Sequence, residues 1–158
     1  MAQTLGLRLP IQPAKGYSVT VRRPDDAPSI PLLLTETRVA VTPMGDTLRF
    51  AGTLELAGMD PTVNMRRVQG IVDGVPPYLA TDAAALELIE IWRGMRPCSP
   101  DGLPYIGRPA GYGNLTIAAG HSTIGLALGP ITRKLVSQVL AYETPEIDLT
   151  LCDVGRYA

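Results

Sequence analysis

The 158 residues predict an α+β domain, a mostly antiparallel sheet with helices packed on it. Three observations carry this expectation. Short segments near the start alternate polar and apolar residues, two of them flank a Gly-containing turn, and two later segments recur at helical spacing. The regular strand-helix-strand rhythm of a parallel doubly wound sheet is missing.

The first strand is predicted over Gly16 to Arg22, where Tyr17, Val19 and Val21 alternate with Ser18, Thr20 and Arg22. Residues 23–29 (RPDDAPS) gather Pro, Asp and Ser, which favour a turn or exposed loop, and a hairpin is expected to follow. Around Pro43, Met44, Gly45 and Asp46 the β-rich runs 38–42 and 47–56 read as an antiparallel pair. Asp60 before Pro61 predicts a helix start, with the carboxylate capping free amides and Pro in the first helical position. Met65, Val68, Ile71, Val72 and Val75 give that helix one apolar face, and Pro76-Pro77 ends it. Residues 86–92 (LELIEIW) alternate as a strand that runs into a loop, GMRPCSPDGLP. Residues 114–119 predict a further short strand, and Thr123 to Tyr142 a helix with Ile124, Leu128, Ile131, Leu135, Val136, Val139 and Leu140 on its apolar side. Pro130 is expected to kink that helix or to mark its first turns, and the tail after Glu143 to be irregular.

Hydrophobic residues make up 46% of the chain and charged residues 18%, a balance that gives a folded chain with enough apolar surface for one core. A net charge of -1 supplies no basic field, so nucleic acid is not an expected partner. Cys98 and Cys152 stand far apart without further ligands at metal spacing, so neither a zinc site nor a disulfide framework is expected, and a reducing cytoplasmic setting fits. The opening residues lack the basic start and apolar stretch of a secretory signal, and no run is long and apolar enough to span a membrane; peripheral contact with the inner membrane stays open. The Pro-punctuated entry at Leu7 to Pro13 suggests a piece of something longer.

Two constellations could carry chemistry. Arg96, in Gly94-Met95-Arg96-Pro97 at a strand end, could grip a carboxylate through two parallel N–H···O bonds; it could equally be solvated or paired with Asp101. Gly120, His121, Ser122, Thr123, Ile124 and Gly125 lie between a strand and a helix. There glycine permits close approach, and the opening amides of the helix offer donors and partial positive charge to an electron-rich group. The plainer alternative is a helix start capped by Ser122 or Thr123. Tyr17 is a further candidate for a pocket wall, or else a packing residue. Cys98 has no base assigned to it and is read as structural, and Asp25-Asp26 as a solvated pair.

Residues 10–21 (PIQPAKGYSVTV), 92–107 (WRGMRPCSPDGLPYIG) and 114–130 (NLTIAAGHSTIGLALGP) together resemble, in order, the distal portion of the D-amino-acid dehydrogenase and oxidase family of FAD-dependent enzymes. The resemblance covers nearly the whole chain. It implies that residues 1–158 form one C-terminal region that binds substrate and closes over the flavin, the N-terminal dinucleotide-binding half with its G-x-G-x-x-G turn being absent. By the same resemblance Arg96 corresponds to the clamp on the substrate carboxylate, Gly120 to Gly125 line the flavin, and Tyr17 is a weaker candidate for the substrate pocket.

The implied reaction oxidises a D-amino acid or related amine by hydride transfer from the α-carbon to flavin N5, giving an imine that hydrolyses to a keto acid. Ser122-Thr123-Ile124 stand where some relatives carry a second arginine, which leaves a second cationic contact in doubt. Alone, the chain is expected to bind FAD weakly or not at all and to be inactive. Its expected partners are a small amino-acid or amine substrate and the missing FAD-binding region, with self-association through exposed apolar surface as a further option. The competing function is a standalone, non-enzymatic binding module derived from the same fold.

Overall fold

A computed structural model of the chain describes residues 3–80 and 85–157. Its residues fall into two compact units, Ala14–Met95, and Met1–Pro13 together with Arg96–Ala158. Among the described residues no helix is long and apolar enough to cross a membrane.

The unit Ala14–Met95 contains most of a five-stranded sheet of order β2-β3-β4-β1-β5, formed by β1 (Gln12–Arg22), β2 (Leu32–Leu34), β3 (Val39–Met44), β4 (Thr47–Glu55) and β5 (Leu88–Cys98). The pairs β1/β4, β2/β3 and β3/β4 are antiparallel. The predicted hairpin turn tightens to two residues: Met44 pairs with Thr47, and Gly45 takes the left-handed φ of 63° that such a turn requires. β1 starts earlier than its alternation suggests, and both of its faces are buried. Tyr17, Val19 and Val21 join a core with Val39, Val41, Leu48, Phe50, Val68 and Ile71. On the other side Thr20 is covered by Arg49, whose Nε donates to the threonine hydroxyl at 3.2 Å. Ser18 is buried as well. Alternation alone predicts solvent on that side.

Between the pairs Lys15↔Glu55 and Tyr17↔Gly52 the register shifts, so that Thr53 and Leu54 together face Gly16. Thr53 adopts φ 69°, as an extra residue in a bulge can. The insertion brings Glu55 opposite Lys15 and leaves Leu54 exposed.

The helix expected from Asp60 starts later, as α1 (Met65–Asp73), with Asn64 at its N-cap position. Tertiary demand explains the delay. Lys15, buried on β1, donates to the Asp60 carboxylate at 3.1 Å, the Asp60 carbonyl at 3.2 Å and the Thr62 carbonyl at 2.8 Å. Asp60 also accepts from the Thr62 amide and hydroxyl, so its side chain closes a turn instead of capping a helix. α1 then lays Val68 and Ile71 on β4, where a Cβ on Gly52 would come within 3.2 Å of Ile71 Cγ1.

The second unit has a short antiparallel pair, β6 (Tyr105–Gly107) with β7 (Ile117–Ala119), against which packs α2 (Gly125–Leu140). Tyr105, Ile106, Leu135 and Val154 are its buried apolar residues. The expected strand over 114–119 is thus only its last three residues, and the helix begins two residues later than predicted, with Pro130 in its second turn. Of the predicted apolar set Leu135 is fully buried, Leu128, Ile131, Val136 and Val139 are half-buried, and Ile124 and Leu140 are exposed; Leu126, outside that set, is 97% exposed. Short 3-10 turns form at Gln3–Leu5 and Thr150–Cys152.

Candidate functional site

β5 runs six residues beyond its expected end, to Cys98, so Arg96 lies inside the strand and is half-buried. An extended backbone here is stitched to the Gly120–Gly125 turn. Cys98 forms an antiparallel bridge with His121, and the Ser122 amide donates to the Pro97 carbonyl at 3.0 Å. The segment carrying Arg96 and the turn that follows β7 are therefore fixed to each other at the backbone.

The turn depends on its residue types. Gly120 sits at φ 80°, and a Cβ there would come within 3.1 Å of Tyr105 Cδ2. Ser122 takes φ 52°, unusual for a residue with a side chain. A Cβ on Gly125 would press on that of His121 at 3.1 Å. The His121 ring is half-buried, and its Nε2 lies 3.0 Å from Thr132 Oγ1, tying the turn to the third turn of α2.

The structure does not show the capped helix start. Ile124, not Ser122 or Thr123, occupies the N-cap position, and no side chain caps the opening amides. The Ser122 hydroxyl is buried without a hydrogen-bond partner. An uncapped start of a 16-residue helix beside an unsatisfied hydroxyl is chemically suited to an electron-rich group such as the pyrimidine side of a flavin. A hollow of about 700 Å³, lined by Pro97, Ala118, His121, Ser122, Gly125 and Val136 among others, adjoins this turn. Arg96 and Gly120 stand outside its lining.

Sequence reasoning missed a second constellation, at the loop leading from β5 to β6. Arg156, from the tail read as irregular, donates from Nε to Asp101 Oδ2 at 2.9 Å and from Nη2 to Asp101 Oδ1 at 3.1 Å. The same guanidinium bonds the carbonyls of Leu103 at 2.8 Å and Pro104 at 3.2 Å, and lies 3.7 Å from the centre of the Tyr105 ring. Hydrogen bonding from Arg156 holds the Asp101 carboxyl well below the usual carboxylate range, against the opposing effect of burial. Asp101, the residue considered as a partner for Arg96, is thus engaged by Arg156 on both oxygens. The only advance signal was an arginine next to an aromatic residue near the end of the sequence.

Tyr17 belongs to the other unit and to its core, at 1% exposure. Its hydroxyl donates to Glu55 Oε2 at 2.5 Å and accepts from the Asn64 amide at 3.2 Å. The bond from Tyr17, reinforced by Asn64, Lys15 and Arg67, lowers the Glu55 pKa despite burial. Asp60 is lowered to about 2, first by the Thr62 hydroxyl and amide and then by Lys15. For Lys15 burial acts to lower the pKa, but bonds to Asp60 and Tyr17 and the nearby carboxylates outweigh it and the net direction is upward. These side chains form a structural network, and Tyr17 has no free face to offer. Among the described residues no group of three or more His, Cys, Asp or Glu side chains could hold a metal ion.

A family model described as FAD dependent oxidoreductase (DAO) matches residues 1–139. Two D-amino acid dehydrogenases are similar throughout: that of Granulibacter bethesdensis is 33% identical over 160 residues, covering 100% of this chain and 38% of the relative, and that of Xanthobacter autotrophicus is 35% identical over 156 residues, covering 98% and 37%. A crystal structure of glycine oxidase from Geobacillus kaustophilus superposes with a TM-score of 0.84 at 26% identity, covering 99% of this chain and 42% of that one. The chain belongs to the FAD dependent oxidoreductase family and spans somewhat over a third of the length of these curated relatives.

Proposed function

We propose that this member of the FAD dependent oxidoreductase family is the substrate-binding and flavin-closing portion of an enzyme that oxidises a D-amino acid or a related amine. The observation that carries the reading is the backbone stitch between Pro97-Cys98 and His121-Ser122, which holds the Arg96 segment against an uncapped helix start. The similarity to D-amino acid dehydrogenases along the entire chain supports the substrate class.

Arg96 binds and orients the substrate carboxylate, for which a planar guanidinium on a fixed strand is suited. The opening amides of α2, with the Ser122 hydroxyl, supply donors and partial positive charge to the electron-rich side of the cofactor. Gly120 and Gly125 admit the Tyr105 ring and the His121 side chain against the turn, and His121 keeps the turn in register through Thr132. FAD, when bound, supplies the two-electron acceptor for the oxidation. The substrate amine becomes an imine by loss of a hydride from the α-carbon and a proton from nitrogen; hydrolysis of the imine then yields a keto acid and ammonia or an amine. Tyr17 contributes at a distance, by holding Glu55 and Asn64.

The exposure of Ile124, Leu126 and Leu140 on α2 favours this reading over a standalone binding module, since a self-sufficient monomer seldom bares several large apolar side chains on one helix. An FAD-binding portion upstream is the partner assigned to them. In the full-length protein, purification with a yellow flavin chromophore is the expected result, and a colourless, flavin-free protein excludes the proposal. Arg96→Ala is expected to weaken amino-acid binding by about 1.5–3 kcal/mol, the range for a hydrogen bond to a charged group. A rise in KM at unchanged flavin content shows it, whereas wild-type kinetics remove the role given to Arg96.

A further inference from the structure

The family model ends at residue 139, so Arg156 lies in a part of the chain it does not cover. Its guanidinium bonds Asp101, Leu103 and Pro104 in the loop between β5 and β6 and stacks on Tyr105 at the start of β6. A further bond, from Nη1 to the Asp153 carbonyl at 3.1 Å, closes the tail on itself.

The same loop is one side of a closed frame. Tyr105 pairs with Ala119 in the short sheet, its ring packs under Gly120, and the next two residues of the turn are stitched to Cys98 and Pro97 at the end of β5. From Cys98 the chain returns through Ser99 to Asp101. The stretch from Asp101 to Tyr105 is held by Arg156, with local bonds from the Leu103 amide to Asp101 and from the Gly102 amide to the Ser99 carbonyl.

We propose that Arg156 is a positioning residue for the Gly120–Gly125 turn: by fixing Asp101 and the two carbonyls and by stacking on Tyr105, it sets the ring on which Gly120 rests. The inference builds on the reading of that turn as the cofactor-facing element. Lysine cannot substitute, because a single ammonium does not present the fork that meets both carboxylate oxygens and two carbonyls together.

Amide hydrogen exchange on the 158-residue chain tests this without reference to activity, so it is readable whether or not the flavin assignment stands. Arg156→Gln is expected to speed exchange of the Ser122 and Ala119 amides tenfold or more relative to Val19 and Phe50 of the five-stranded sheet. The His121 ring resonances, which report the bond to Thr132, should shift at the same time. Arg156→Lys should give the same pattern, and Asp101→Asn a weaker one; the latter carries the test if the Arg156 variants do not fold. Ser122 exchanging at its original rate while Leu103 loosens overturns the proposal, as does an equal acceleration in the sheet, which would reduce Arg156 to general stability. Failure of Arg96→Ala to affect kinetics, with the exchange pattern as expected, instead removes the functional reading and leaves the clamp.

Discussion

The two units of this chain are held together by different means. Residues 14–95 form a sheet and a helix around a continuous apolar core, with a buried polar network at one end where Lys15, Tyr17, Glu55 and Asp60 satisfy one another. In the other unit few apolar side chains are buried, and the loops that shape the candidate site are fixed by backbone bridges and by side-chain bonds such as those of Arg156 and His121. Burial is non-directional and tolerates some relaxation, whereas a turn set by hydrogen bonds and positive φ angles depends on individual atoms. The first unit should therefore lose stability when volume is removed, and the second should lose geometry when one group is changed.

The largest effect is expected from Phe50→Ala, at the centre of the sheet core, which should cost about 3–5 kcal/mol in denaturant unfolding. A loss below about 1 kcal/mol would blur the contrast between the units. Tyr17→Phe keeps the ring and removes the hydroxyl, leaving Glu55 and the Asn64 amide short of a partner; about 1–3 kcal/mol should be lost. Should that variant alter substrate binding with no change in stability, Tyr17 has a role beyond the core.

Gly120→Ala probes the other unit. A left-handed backbone costs an alanine about 1–2 kcal/mol, and its methyl group would meet the Tyr105 ring. The change should disturb the Ser122 and His121 resonances while the sheet spectrum is preserved.

Acid sharpens the comparison through titration. The folded Asp60 pKa, about 2 against 3.8 unfolded, means its contribution is complete above 3.8 and is lost as pH falls toward 2. Asp101, lowered by Arg156, weakens in the same direction. Lys15 is raised, so its contribution is complete below 10.5 and declines as pH rises through its folded value above that. Melting temperature against pH should show an acid limb that Asp60→Asn flattens; an unchanged limb assigns acid sensitivity elsewhere. Leu126→Ser, at a 97% exposed position of α2, should change the stability of this chain by no more than about 0.5 kcal/mol; under the proposed function its effect is expected instead in the flavin retention of the full-length protein.

How much was legible differs between the units as well. Alternation placed β1, β3 and β4, and helical spacing placed α1 and α2, because each signal repeats over several residues. The start of α1 lies four residues beyond the expected one because the signal at Asp60-Pro61 is local, and a lysine forty-five positions earlier claims the carboxylate. β5 was cut short because Gly94 and Pro97 read as a loop, while the ladder and the His121 bridge keep the chain extended through them. Gly120 to Gly125 stood out as a turn before a helix, but the uncapped start and the unsatisfied Ser122 hydroxyl depend on φ angles that composition does not specify.

The sequence by itself determined the α+β class, the position of most strands and helices, and the family, since these rest on periodic burial and on motifs contiguous in the chain. Only the tertiary structure decided that Tyr17 is enclosed, that Asp101 belongs to Arg156, and that the Arg96 strand is stitched to the His121 turn. Each of those pairings joins residues 23 to 55 positions apart. A hydrogen bond between such groups is set by where the folded backbone delivers them, and no local pattern encodes that distance.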